Sequence, residues 1–316
     1  MAISQMTQKV LQPNLVTLIA FVGLVLIGGA NFVAVSLSNQ DLPPFFGGGL
    51  RFALAGLLLL GIAIVRKVPF PKGRALVGAV IYGVLGFAAF FVLAYWALQE
   101  LPAGPAGVIT ASVPLLTMIL ARIHGLEKMH WRGLVGGALT TVGIWVLLTA
   151  PMGMSAPLGS VLAMLGAAAC LAEAGIIAKM FPPCHPVATN CLGMAIATVV
   201  LLVISWISAE PWSIPTQQAT WLVLGHLVLL GSVALSGLYL FVLTRWTVSR
   251  ASYQFVLVPF VAVLLAAWLA NEPINRALGF GGAIVLFGVY IGAVARTRVP
   301  ASATLEHEIL SQRCST

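Results

Sequence analysis

The sequence predicts an all-α integral membrane protein of ten transmembrane helices, arranged as two inverted five-helix repeats with both termini in the cytoplasm. Three observations carry that prediction. The first is composition: of 316 residues, 60% are hydrophobic and 8% charged, with a mean hydropathy of +1.05. Ordinary soluble domains carry about 25% charged residues, so this chain has too little polar surface to face water, and the bilayer is its solvent. The second is an internal repeat. Shifted by 145 positions, Ala106, Val113, Pro114, Leu120, Ala121, Glu127, Gly136, Gly137, Ala138 and Gly143 fall on Ala251, Val258, Pro259, Leu265, Ala266, Glu272, Gly281, Gly282, Ala283 and Gly288. A long period in a hydrophobic chain marks a duplicated bundle. The third is the placement of basic residues, which orients the bundle.

A spanning helix needs about 20 apolar residues. Ten such runs follow one another, at 15–36, 44–64, 75–97, 104–122, 131–150, 158–179, 187–208, 221–244, 250–270 and 276–295. Residues 1–13 ahead of them are polar, with the single charge Lys9. The run 15–36 exceeds a signal-peptide h-region of about 7–15 residues and contains Gly28-Gly29-Ala30-Asn31, so it reads as the first spanning helix. Pro43-Pro44, Pro71-Lys72-Gly73, Pro102, Pro151, Pro182-Pro183 and Pro211 mark the breaks that follow. The connections leave no room for a soluble domain. The domain division is therefore 1–150 for the first repeat, 151–300 for the second and 301–316 for a polar cytoplasmic tail.

With the N-terminus inside, fourteen basic residues fall on the cytoplasmic side and only Arg276 outside, and flipping the protein inverts that asymmetry. The net charge of +8 thus reflects topology signals in short loops, and points to no nucleic-acid partner. Five helices per repeat is an odd number, so the second repeat enters the membrane from the opposite side. That relation, an in-plane pseudo-twofold axis, is the architecture of alternating-access transporters. Pro114 and Pro259 fall near the midplane of the fourth and ninth helices. A mid-helix proline frees a carbonyl and bends the helix, so the pair are candidate gating elements; kinks inherited from one duplicated ancestor explain them equally.

The remaining basic residue, Arg51, lies within the second helix, and Glu173 lies within the sixth. Each costs about 2.5–3.5 kcal/mol at a helix centre, so each must face protein or water. Arg51 suits a substrate carboxylate, or snorkels outward to the interface. Glu173 suits an amine or a coupling proton, or caps a neighbouring backbone or pairs with another residue near a helix end. Asn31, Asn190, His226, Ser232, Ser236 and Gln254 are polar at membrane depth, where interhelical bonding is the default reading. The aromatics Tyr82, Phe90, Tyr95, Trp96, Tyr239 and Tyr253 suit an apolar pocket for a flat or greasy solute. Against this, Tyr95, Trp96, Trp131, Trp212, Trp221 and Trp246 lie at helix ends, where aromatic belts belong, so Tyr82, Tyr239 and Tyr253 are the better pocket candidates. The candidate substrate-binding residues are Asn31, Arg51, Tyr82, Glu173, Tyr239 and Tyr253. Gly133 and Gly137 form a GxxxG that suits close helix packing.

Several classes lose support. The four cysteines form no paired framework, and Cys184-His185 is too sparse for a metal site. No phosphate loop, nucleophile elbow or HExxH occurs, so no cofactor is implied, and any energy for transport comes from gradients. An intramembrane enzyme needs converging catalytic groups, and Glu173 and His226 lie on opposite sides of the expected midplane. A receptor would have no obvious use for an odd-helix duplication.

Gly28-Gly29-Ala30-Asn31-Phe32, Leu50-Arg51-Phe52 after Pro43-Pro44, and Tyr95-Trp96-Ala97-Leu98 leading into Pro105–Pro114 are further carriers of likeness. With the repeated proline, glutamate and glycines, they resemble the drug/metabolite transporter superfamily, and within it the EamA-type exporters. Gly28 departs from that family's usual aromatic before the glycine. The resemblance implies a central cavity between the repeats and export of amino acids or related metabolites across a bacterial inner membrane, and it is nearest the aromatic amino-acid exporter branch. It implies a small-molecule substrate and the lipid bilayer as partners. It sets no oligomeric state, and a monomer is compatible with it.

Overall fold

The computed structural model describes residues 15–125, 131–149, 157–182, 184–213, 215–245, 254–269 and 276–293. Every regular element among them is helical. In chain order these are α1 (Leu15–Ser38), α2 (Pro44–Val65), α3 (Arg74–Ala97), α4 (Ala103–Ile123) and α5 (Trp131–Thr149). There follow α6 (Leu158–Met180), α7 (Pro186–Ile207), α8 (Gln218–Val228, Leu229–Ala234 and Leu235–Arg245), α9 (Gln254–Leu269) and α10 (Arg276–Ala293). Seven of the described helices, α1 to α4 and α6 to α8, are long and apolar enough to cross a membrane. α9 and the Gly279–Gly288 part of α10 are shorter apolar helices. Tyr253, Glu127, Glu272 and the segment 301–316 lie outside the described residues, as do both termini.

The helices start where proline chemistry dictates. Pro44 and Pro186 each open a helix, because a proline in the first turn has no N–H to leave unsatisfied and its φ is already helical. The first turn of α2 gains a second device. Glu210, from the α7–α8 connection, accepts hydrogen bonds from the backbone N–H groups of Phe45 and Phe46 at 3.2 and 2.8 Å. A carboxylate there satisfies orphan donors and suits the positive end of the helix dipole.

The surface is inverted relative to a water-soluble protein. Trp206, Leu222, Trp268 and Phe280 project largely exposed side chains, as expected where lipid replaces water as the surrounding medium. α2 packs against α7 and α5 against α10, while α1 lies against α8 and α9 and α6 lies against α3 and α4. At the α5–α10 seam the backbones approach closely. A Cβ on Gly143 would come within 2.7 Å of the Val285 backbone, and one on Gly288 within 2.7 Å of the Gly136 carbonyl. The GxxxG expectation is corrected here for Gly137, where an added Cβ would meet nothing within 4 Å, while the carbonyl of Gly136, one residue earlier, lies against Gly288 of α10; the surroundings of Gly133 lie outside the described residues.

Three irregularities interrupt the helices. α3 carries a π-helical turn over Val84–Ala89, and α8 carries one over Leu229–Ala234. Their first residues are 145 positions apart, the period of the sequence repeat. α4 breaks at Ala111 and Ser112, with Pro114 in the first turn of its second segment, Val113–Ile123. Pro259 sits inside α9, its Cα 3.6 Å from where a Cβ on Gly107 of α4 would stand.

The ends of the bundle are tied unequally. At one end Glu210 reaches α2, Asp41 accepts from the Thr220 hydroxyl at 2.7 Å, and Glu100 accepts from the Ser160 hydroxyl at 2.8 Å. At the other, His124 Nε2 meets Glu173 Oε1 at 2.9 Å. All four contacts join elements before residue 125 to elements after 157.

Candidate functional site

A cavity of about 150 Å³ lies at the centre of the bundle, walled mainly by α1, α3, α4, α6, α8 and α9. Phe52, Phe87, Phe90 and Phe91 give it an aromatic bed. Phe52 and Phe91 pack edge to face at 4.6 Å between centroids, and Phe90 and Phe91 at 4.7 Å. Offset and edge contacts of this kind satisfy the ring quadrupoles and hold the wall rigid. Asn31, Tyr82, Tyr95, Thr110, Ser232, Ser236, Tyr239 and Gln254 are the residues with polar side-chain groups in the same, mostly apolar, lining.

The polar side of the cavity is organised by Arg51, which α2 drives into the protein rather than toward the interface. The snorkelling alternative is thereby corrected: Arg51 is 0% exposed. Its Nε donates to Ser232 Oγ at 2.7 Å, and its Nη2 donates to the Gly231 carbonyl at 2.7 Å and to Asn31 Oδ1 at 3.1 Å. Nη1 has the longest contact, 3.5 Å to the Tyr95 hydroxyl. The guanidinium also lies 5.0 Å from the ring centres of both Phe52 and Phe91, within range of a cation–π attraction. Among the described residues no carboxylate pairs with it.

The π turn in α8 accounts for two of these acceptors. Ser232 donates its own hydroxyl to the Leu227 carbonyl five residues back, at 2.9 Å, so its oxygen is left to receive Arg51. The Gly231 carbonyl is turned to the same guanidinium. Gly231 must lack a side chain, because a Cβ there would overlap Asn31 Oδ1 and come within 3.2 Å of Arg51 Nη2.

Of the sequence-predicted residues, Asn31, Tyr82 and Tyr239 line the cavity and Arg51 stands immediately behind it. Glu173 is not in the lining; it pairs with His124 from the end of α4, and its Oε2 is buried with no hydrogen-bond partner among the described residues. Pro114 and Pro259 are buried on α4 and α9, both helices that wall the cavity. Of the two readings of Tyr95, belt and pocket, the structure favours the pocket: it is 1% exposed, lines the cavity and lies against Arg51. Gly231, Ser232, Thr110 and Gln254 had no individual signal beyond polarity or small size at membrane depth. His226 has Nε2 buried with no partner among the described residues.

A second cavity of about 340 Å³ opens between α3, α6, α7 and α8, with Lys179, Cys184 and Thr189 in its wall. Tyr82 borders both cavities.

The EamA-like transporter family model matches residues 15–149 and again residues 158–293. The chain is 27% identical over 285 residues to the "Uncharacterized inner membrane transporter YedA" of Escherichia coli (strain K12), covering 89% of this chain and 92% of that protein. It is 25% identical to a "Probable amino-acid metabolite efflux pump" of the same organism, over 85% of this chain and 91% of that one. A "Probable terminal-alkyne amino-acid exporter" of Streptantibioticus cattleyicolor is 27% identical, covering 76% and 81% respectively. A solved crystal structure shares the fold with a TM-score of 0.65 at 20% identity, over 90% of this chain and 98% of that one.

Proposed function

This chain belongs to the EamA-like transporter family, and from that membership we propose that it is a secondary transporter of a bacterial inner membrane. It exports amino acids, aromatic or otherwise apolar, or related metabolites, by alternating access through the central cavity. The observation that carries the reading is that cavity: an aromatic bed with one polar, cation-backed corner, enclosed by helices drawn from both parts of the chain. Such a site holds an apolar side chain on one wall and a polar head on the other.

The architecture we infer is ten spanning helices, five in each of two inverted repeats over 1–150 and 151–300, with both termini cytoplasmic. Three features support it. The family model matches the chain in two consecutive segments. The packing exchanges consistently when α1 to α5 are swapped with α6 to α10. The π turns recur at the sequence period. In this architecture Tyr82 separates the cavity from the cytoplasmic vestibule beside Lys179, Pro114 and Pro259 soften the gating helices, and Glu173 with His124 ties the cytoplasmic end. The relatives named as efflux pump and amino-acid exporter favour transport over catalysis and outward over inward flux.

The test is flux in proteoliposomes. Purified protein should exchange radiolabelled phenylalanine, tryptophan or methionine, or one of their metabolites, saturably and above empty liposomes. Absence of flux for all of them from folded protein would remove the substrate assignment.

A further inference from the structure

We propose that the central cavity selects substrates of net negative charge: apolar carboxylates whose amine is absent or masked by acylation, in preference to the zwitterionic amino acids themselves. The proposal rests on the transport reading above and names the substrate class of the same site.

The first observation is the charge at the corner. Arg51 is wholly buried and bonded only to neutral oxygens, those of Ser232, Gly231, Asn31 and Tyr95. A guanidinium stays protonated in proteins. With no carboxylate beside it among the described residues, its charge is uncompensated in a region of low dielectric, where charge interactions reach further than in water. The described lining of the cavity contains no Asp or Glu. Glu173, a carboxylate within the membrane-spanning part of α6, is committed to His124 outside that lining.

The second observation is the direction of the hydrogen bonds. Arg51 is a donor only, so it takes up acceptor capacity from the wall. Asn31 turns Oδ1 to the guanidinium, which leaves its Nδ2 hydrogens without a partner among the described residues. The Tyr95 oxygen faces Nη1, which leaves its O–H to donate elsewhere. Nη1 itself has a single contact, at 3.5 Å, so most of its donor capacity is unused. The corner therefore offers donors to the cavity, backed by a positive charge. That suits an acceptor-only anion, and a carboxylate matches it. An ammonium meets the opposite conditions: donors facing donors, and a like charge behind them.

The experiment keeps the benzyl group constant and varies the charge. Counterflow in proteoliposomes containing the full chain is measured with phenylpyruvate and N-acetyl-phenylalanine as anions, phenylalanine as zwitterion and phenylalanine amide as cation. We expect half-saturation for the anions at concentrations lower by roughly 10-fold or more than for phenylalanine, in line with the cost of juxtaposing like charges, and no counterflow of the amide. Asn31→Asp places a carboxylate against Arg51 and should abolish the preference for the anions. Asn31→Leu, which removes the donor without adding charge, should weaken anion transport yet preserve the order. Phenylalanine carried as well as the anions overturns the charge selectivity and leaves the transport reading intact. An anion preference that survives Asn31→Asp overturns the assignment to this corner. No counterflow of any of the four compounds by folded protein overturns both readings together.

Discussion

At the scale of single residues, a buried cation dictates its surroundings. Hydrogen bonds to charged groups are worth about 1.5–3 kcal/mol each, and Arg51 has three at 3.1 Å or less. Lysine cannot reproduce that fork, since its ammonium is a point charge without the planar spread of Nε and Nη2. Arg51→Lys should therefore lower the melting temperature in detergent and reduce flux at least about 10-fold, the equivalent of one such bond. Gly231→Ala should do the same by overpacking, at a cost of about 1–3 kcal/mol, because its Cβ collides with Asn31. Gly137→Ala is the control: nothing lies within 4 Å, so melting should be unchanged or raised by up to about 1 kcal/mol of helix propensity. Equal destabilisation by the two alanines would show that the Arg51 cluster does not set the geometry. These residues were unequally legible in the sequence. Arg51 stood out because charge in an apolar run is rare, and Asn31, Tyr82 and Tyr239 because they are polar or amphipathic at depth. Two of the acceptors for Arg51 did not stand out, since the Gly231 backbone carbonyl has no composition signature and Tyr95 near a helix end looks the same whether it faces lipid or the core; Ser232 stood out only as a polar group at depth, with interhelical bonding as its default reading.

At the scale of elements, the duplicated π turns connect the repeat to the site. A π turn has i→i+5 bonding and often marks a functional position. In α8 it aims Gly231 and Ser232 at Arg51, while Tyr239 lies on the same wall farther along the helix. Deleting Val233 should convert the turn to regular α-helix by closing its i→i+5 bonding to i→i+4, which leaves Tyr239 in register but turns the Gly231 carbonyl and the Ser232 hydroxyl away from Arg51. Counterflow should be lost although the protein still elutes as a single folded species. Retention of transport would mean that the turn is only a packing adjustment. The end of α2 provides a milder case. Glu210→Ala removes the acceptor for Phe45 and Phe46 and should cost about 1 kcal/mol, the usual value of a helix cap, read as a lower melting temperature. Helix positions were legible from apolar run length and proline breaks, and α1 to α4 and α6 to α8 begin and end close to the expected residues. The π turns were not, because inserting one residue into a helix leaves hydropathy and composition unchanged; only the 145-residue period, seen in both sequence and structure, links the two turns.

At the scale of the whole molecule, the unequal tying of the two ends becomes a statement about conformational balance. Asp41, Glu100 and Glu210 join early to late elements at the end we assign to the outside, whereas His124–Glu173 is the corresponding contact at the cytoplasmic end. In an alternating-access protein these contacts cannot all persist in both states, so each set biases the equilibrium toward the state that keeps it. A bias of about 1 kcal/mol corresponds to a fivefold population change. The triple variant Asp41→Ala, Glu100→Ala, Glu210→Ala should therefore favour an outward-open form, and His124→Ala should oppose that shift. A cysteine in place of Val35, on the α1 wall of the cavity, reports the difference in a background free of native cysteines. Membrane-impermeant maleimide added from outside should label it faster in the triple variant and slower in His124→Ala. The same rates in both would mean that these contacts hold the ends without governing access, and faster labelling in His124→Ala would reverse the assignment of inside and outside. The orientation itself was drawn from fourteen basic residues against one, a rule about loops, so this labelling asks whether a topology signal and a set of partly buried polar contacts describe the same axis.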